Sequence, residues 1–368
     1  MANRISISPK MIEWAIKRSG KDVRDYTIQY PKVGQWLQGD VNPTYKQAEE
    51  FASKLSVPFG YLFLSEPPKE EVPIPFFRGE AKDKFDLNTY DTVMLLQGRQ
   101  EWLSGYLNES GCDTLEFIGS VNPSDSVEKV CSVVRSLLDL PEDWAFNFSR
   151  QDEALSHVGQ KLTGLGIVVS FNGVVANNSK RKISVSSCRG FSLVDEYAPF
   201  IFVNNSDSKT AQLFTLIHEF VHLLLGFSSG FGGSDAEAYS DKVEAFCDKV
   251  AANFLVPTGT LKENWNGIER TADKFKVSPI MMARRAKEVR LIGSKDYKAF
   301  CKEYYNREIH QKRASSGGDY YSTSKKRLSW LFLVHIDNAV RSNKLMLLDA
   351  YRLTGLFGST YNSVVAKI

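Results

Sequence analysis

From Leu213 to Gly226 apolar residues run almost all the way round a helix: Leu213, Phe214, Leu216, Ile217, Phe220, Val221, Leu223 and Leu224 leave no solvated face, and Gly226 is placed to end it. A helix of that kind belongs inside a core. The pattern elsewhere is amphipathic. Met11, Ile12, Trp14, Ala15 and Ile16 predict one helix, Val33, Trp36 and Leu37 a short second, and Ala48, Phe51, Ala52 and Leu55 a third, while the stretch from Gly20 to Pro31 lacks clean apolar spacing. Helical spacing returns over 89–109, 126–138 and 152–162. Gly166–Phe171, Ile183–Val185, Gly190–Val194 and Phe200–Val203 are then β-branched or aromatic runs broken by Gly, Asn and Pro, which predict a small sheet beside the buried helix. A helix over 236–255 follows. After it come a helix from Thr271, a turn capped by Ser278 with Pro279 in first helical position, a helix over Met281–Val289, and two last helices near Leu328–Val340 and Leu345–Leu356.

This order predicts an α+β fold, predominantly helical, in five parts: a helical unit over 1–64, a linker over 65–80, a helical scaffold over 81–145, a domain holding sheet and buried helix over 146–260, and a helical region over 261–368. Pro67, Pro68, Pro73 and Pro75 make the linker extended. Residues 313–327, with Ser315, Ser316, Gly317, Gly318 and the basic run Lys325, Lys326, Arg327, read as an exposed loop. Arg284, Arg285, Lys287 and Arg290 read as a solvated basic face, and His335 as a core histidine.

Composition changes this picture little. The 368 residues carry a net charge of +3, too small to argue for nucleic acid or membrane from global electrostatics. No apolar run approaches the ~18 residues of a membrane span, and no secretory pattern opens the chain, so a cytoplasmic protein is expected. Five widely spaced cysteines without a Cys-x-x-Cys pair indicate neither a disulfide framework nor a zinc ribbon.

The buried helix contains chemistry. His218-Glu219-Phe220-Val221-His222 is a His-Glu-x-x-His motif, and with five histidines and 43 acidic residues chance supplies about 0.01 such motifs per chain. Residues four apart share a helix face, so His218 and His222 can hold one zinc ion while Glu219, one residue round, serves as general base. A sheet preceding such a helix can hold an extended peptide on an edge strand, here expected near Phe200–Val203. A third protein ligand is needed. Leu225 stands where a metzincin requires Gly, and the next histidine is His310, so a carboxylate must serve. Glu237, Asp241, Glu244 and Asp248 on the following helix all qualify by spacing. His157 and Tyr239 are the candidate oxyanion donors.

The run Glu244-Ala-Phe-Cys-Asp-Lys-Val-Ala-Ala-Asn-Phe-Leu-Val-Pro257 resembles the second motif of the ImmA/IrrE family of zincin-like metallopeptidases. Phe59–Pro68, Phe77-Arg78, Arg189-Gly-Phe191 and Ala198–Asn204 resemble landmarks of long members that carry an XRE-like helix-turn-helix unit in front, as does Tyr30–Thr44. The resemblance implies that Glu244 is the third zinc ligand, and Asp248, where the family often has Asn, is read as a residue orienting a ligand. It also implies a zinc endopeptidase whose substrate is a specific cytoplasmic regulator, a helix-turn-helix repressor, in a stress, mobile-element or toxin-antitoxin setting. The rival reading is an antitoxin-like binding protein that uses the peptidase fold as a scaffold. DNA binding by residues 5–64 ranks below packing of that unit on a protein, because its eight basic residues against four acidic ones between Arg4 and Lys46 are a slight surplus.

Overall fold

The computed structural model describes residues 4–68, 87–226, 236–308 and 320–367, with backbone alone for 236–240, 307–308 and 320–322. The chain divides into two compact units, Met1–Val72 and Pro73–Ile368. Most of the expected linker, and the Phe77-Arg78 landmark, lie outside the described residues.

In the first unit α1 (Pro9–Arg18), α2 (Val23–Gln29), α3 (Pro31–Gln38) and α4 (Tyr45–Leu55) enclose a core of Met11, Ile12, Ile16, Trp36, Phe51 and Leu55. The irregular stretch after Gly20 is helical after all. Asp22 caps α2 by accepting from the Arg24 and Asp25 amides at 2.8 and 3.1 Å, and Tyr26 anchors it with an edge contact to Phe51. A cap and one aromatic anchor replace the missing apolar spacing. Tyr30 alone joins α2 to α3, where a helix-turn-helix has a turn of about three to four residues.

The second unit opens with α5 (Leu87–Glu109), α6 (Val127–Leu138) and α7 (Gln151–Gly164). Five strands follow: β1 (Val168–Asn172), β2 (Val174–Val175), β3 (Asn178–Lys182), β4 (Gly190–Leu193) and β5 (Phe200–Asn204). They form a three-stranded sheet in the order β1-β5-β4, parallel between β1 and β5 and antiparallel between β5 and β4, and a separate β2–β3 hairpin. Two expectations are corrected. Ile183–Val185 is not a strand, because the hairpin ends at Lys182 and Ile183 drops into the core. Phe200–Val203 is not an edge. It is the central strand, and its unbroken burial is what apolar side chains on both faces of a covered strand produce.

Ile201 and Val203 face α7 and the buried helix α8 (Lys209–Leu225), with α9 (Ala236–Leu255) packed beyond; Phe200 and Phe202 face α5 and the last helices. The chain continues through α10 (Thr258–Glu263), α11 (Ile268–Lys274), α12 (Pro279–Glu288), α13 (Ser294–Glu308), α14 (Tyr320–Leu328), α15 (Trp330–Arg341), α16 (Leu347–Thr354) and α17 (Gly358–Val365). Residues 320–327 are therefore helix rather than loop. Lys325, Lys326 and Arg327 occupy the last turn of α14, where cations favour the helix dipole, and the Ser170 hydroxyl donates to the Arg327 carbonyl at 2.6 Å. Arg285 leaves the solvated face assigned to it. It is buried and donates to the Val256 carbonyl at 3.0 Å and to Asn253 Oδ1 at 2.7 Å, tying α12 to the end of α9.

The end of α8 is fixed by close backbone approach. Gly119 and Val121 amides donate to the Leu223 and Leu224 carbonyls at 3.1 and 3.0 Å, and Gly226 ends the helix at φ +71°. A Cβ at Gly226 would lie 2.9 Å from the Gly119 Cα. Gly226→Ala is accordingly expected to destabilise the protein by about 1–3 kcal/mol, measured by urea unfolding.

Candidate metal centre

Helix α8 starts at Ser208, whose hydroxyl accepts from the Ala211 amide at 3.3 Å, and carries its apolar residues into the core on nearly every side. His218, Glu219 and His222 go with them and retain only 1%, 5% and 2% of their surface. Ionisable groups so deeply placed cost several kcal/mol unless they meet partners. The partners come from α9, which packs along α8.

Glu244 spans the two histidines. One carboxylate oxygen is 3.1 Å from His218 Nε2, the other 2.9 Å from His222 Nε2, and the two Nε2 atoms are 3.1 Å apart. His218 Nδ1 lies 3.0 Å from Asp248 Oδ1, so the Nδ1–H donated there leaves the Nε2 lone pair turned toward His222 and Glu244. Ring nitrogens and carboxylate oxygens this close repel unless positive charge lies among them. Burial alone would raise the Glu244 carboxyl; when the two imidazoles are instead protonated toward it, their hydrogen bonds and positive charge outweigh burial and hold Glu244 well below the usual carboxylate range.

The donor set fits a tetrahedral metal ion. Bonds of about 2.0–2.1 Å give ligand–ligand edges of about 3.3 Å; the two Nε2 atoms are 3.1 Å apart, a few tenths shorter, and each has a Glu244 oxygen at a similar distance. His218, His222 and Glu244 are the group among the described residues that could hold an ion. Of the other carboxylates that spacing allowed, Asp241 is exposed and Asp248 meets the far nitrogen of His218, while the Glu237 side chain lies outside the described residues. Tyr239 does too. His157 sits on α7 with its ring 5.0 Å from Phe148 and is not among the clustered groups.

Glu219 meets β4 through one of its oxygens. The Ser192 hydroxyl donates to Glu219 Oε2 at 3.2 Å, a contact that no sequence spacing suggested. Gly190 makes it possible. A Cβ there would lie 2.4 Å from Thr215 Cγ2 and 2.8 Å from the Phe202 carbonyl oxygen, so only glycine lets the strand come so near α8. The sole sequence signal was Gly190 within the Arg-Gly-Phe landmark, which carried no role. Beside the cluster opens a cleft of about 1040 Å³, lined by Arg189, Phe214, Thr215, Asp248, Met281 and Arg284 among others.

No curated protein and no solved structure matches the chain. Residues 163–287, about a third of its length, match the family model of the IrrE N-terminal-like domain, peptidase M78, over the stretch that runs from the end of α7 through the sheet, α8 and α9 to α12. That match supports a metallopeptidase of the IrrE/ImmA family.

Proposed function

We propose that the protein is a zinc-dependent endopeptidase that cuts one regulator protein at an exposed site. The observation that carries this reading is the convergence of His218, His222 and Glu244 donor atoms beside a buried Glu219. His218, His222 and Glu244 would hold zinc, and Asp248 fixes the ring of His218 by accepting its Nδ1–H. Zinc in such a site lowers the pKa of water and polarises a carbonyl. Glu219 takes a proton from the attacking water and returns it to the leaving amine, and the Ser192 hydroxyl holds Oε2 so that the other oxygen is free for that exchange.

The edge strand β4, not Phe200–Val203, is the strand that can pair with an extended substrate. It runs past Glu219 through Gly190 and Ser192, and the cleft beside α12 continues from it. A folded protein offers such a strand only at a linker or a locally opened segment, which restrains the enzyme. The first unit is suited to recognising the substrate. The proposed substrate is a helix-turn-helix repressor from a stress, mobile-element or toxin-antitoxin system, the class that the resemblance to the ImmA/IrrE family implies.

Glu244→Ala and His218→Ala are expected to lose most of one bound zinc per chain, and Asp248→Ala to weaken zinc binding about 10–100-fold, by chelator competition. Full retention in Glu244→Ala would move the third ligand elsewhere. Glu219→Gln should keep zinc and lower turnover of the cognate regulator by roughly 10²–10⁴-fold. Mass spectrometry of that regulator should find one chelator-sensitive cut, with casein left nearly untouched. If wild type and Glu219→Gln protect a partner equally well in cells and neither cuts it, the binding-protein reading replaces this one.

A further inference from the structure

A second cavity, of about 540 Å³, lies between α7, β1, the first turn of α8 and the junction of α14 with α15. That size falls in the range of small-molecule sites, about 300–1,000 Å³. Leu155, Val169 and Phe171 give it apolar walls, and Gly159 leaves room where any other residue of α7 would project a side chain. Its mouth is cationic. Lys209, Lys325 and Lys326 line it, and among the described residues none of the three has an acidic side chain at ion-pair distance. Lys325 donates to the Lys367 carbonyl and Lys209 to Gln212 Oε1 at 3.2 Å, both neutral acceptors. Asp152 is the acid whose charge reaches Lys209, and Arg150 already takes both its oxygens at 2.8 and 2.7 Å.

Two further features point to an anion. Partial burial and the charge of Lys326 lower the pKa of Lys209 against the opposing charge of Asp152, so the ammonium groups of Lys209 and Lys326 repel one another. The first turn of α15 also opens on the cavity through Ser329 and Trp330. Ser329 occupies its N-cap position at φ +65° without a side-chain hydrogen bond to the helix, so the first amides of α15 lack the usual hydroxyl cap.

We propose that this cavity binds an amphipathic carboxylate, with its apolar tail against Leu155, Val169 and Phe171 and its carboxylate between Lys325, Lys326 and the start of α15. The site is separate from the metal centre and does not depend on the peptidase reading. The contrast between an apolar wall and a basic mouth that no acidic side chain among the described residues pairs at ion-pair distance selects this ligand. A neutral apolar molecule leaves the lysines crowded, and inorganic phosphate leaves the cavity unfilled.

The test is calorimetric titration of the full-length protein with decanoate, kept below its micelle concentration, beside decanol and inorganic phosphate. Decanoate is expected to bind at least about tenfold more tightly than either, the worth of one charge-assisted contact. The double variant K325E/K326E should weaken it by a similar factor, and Lys326→Arg should retain it. Gly159→Leu should block the tail: a Cβ there meets the Phe171 ring at an ordinary 3.6 Å, so the larger side chain extends into the cavity without straining the backbone. Far-UV circular dichroism establishes that each variant is folded. The proposal is overturned by absence of decanoate binding, by decanol or phosphate binding as tightly, or by unchanged affinity in both folded blocking variants.

Discussion

The structure depends on one uncomfortable placement: two histidines and a glutamate inside a helix that the core surrounds. Water cannot solvate them, so neighbouring elements must. Glu244 and Asp248 supply oxygen on the α9 side, Ser192 a hydroxyl on the β4 side, and each reaches α8 at 2.9–3.2 Å, a contact that depends on where that helix is held. The backbone of residues 119–121 pins its end through two carbonyls, and Ser208 caps its start. A helix free to slide would strand three polar groups in a medium that penalises them heavily.

Gly190 shows how the sheet takes part. Its missing side chain brings β4 against Thr215 and Glu219, which places the Ser192 hydroxyl on the Glu219 carboxylate and an open strand edge beside the candidate metal centre. One small residue thus serves both requirements of the proposed peptidase, orientation of Glu219 and access for an extended peptide. The opposite sheet face has a different task. Phe200, Phe202 and Phe191 pack on α5 and the C-terminal helices, so the last forty residues stiffen the sheet from behind and also build one wall of the basic cavity.

The sequence by itself determined that His218 and His222 of the candidate metal centre share one helix face, and it determined most of the helices. The His-Glu-x-x-His spacing places both imidazoles on one face whatever the surrounding fold, because that relation is fixed by 3.6 residues per turn. Caps at Ser278 and Gly226 were legible for the same local reason. Four carboxylates on the next helix were equivalent by spacing, and the family resemblance was needed to single out Glu244. Long-range relations were decided only by tertiary structure. Which strand is central, that Arg285 is buried on the Val256 carbonyl, and that Ser192 meets Glu219 all depend on residues distant in the chain that no periodicity relates. The helices at Val23–Gln29 and Tyr320–Leu328 were hidden by weak apolar spacing. In the first, a cap and an aromatic anchor supply what the pattern lacks; in the second, cations at the C-terminal turn and a hydroxyl from β1 do so.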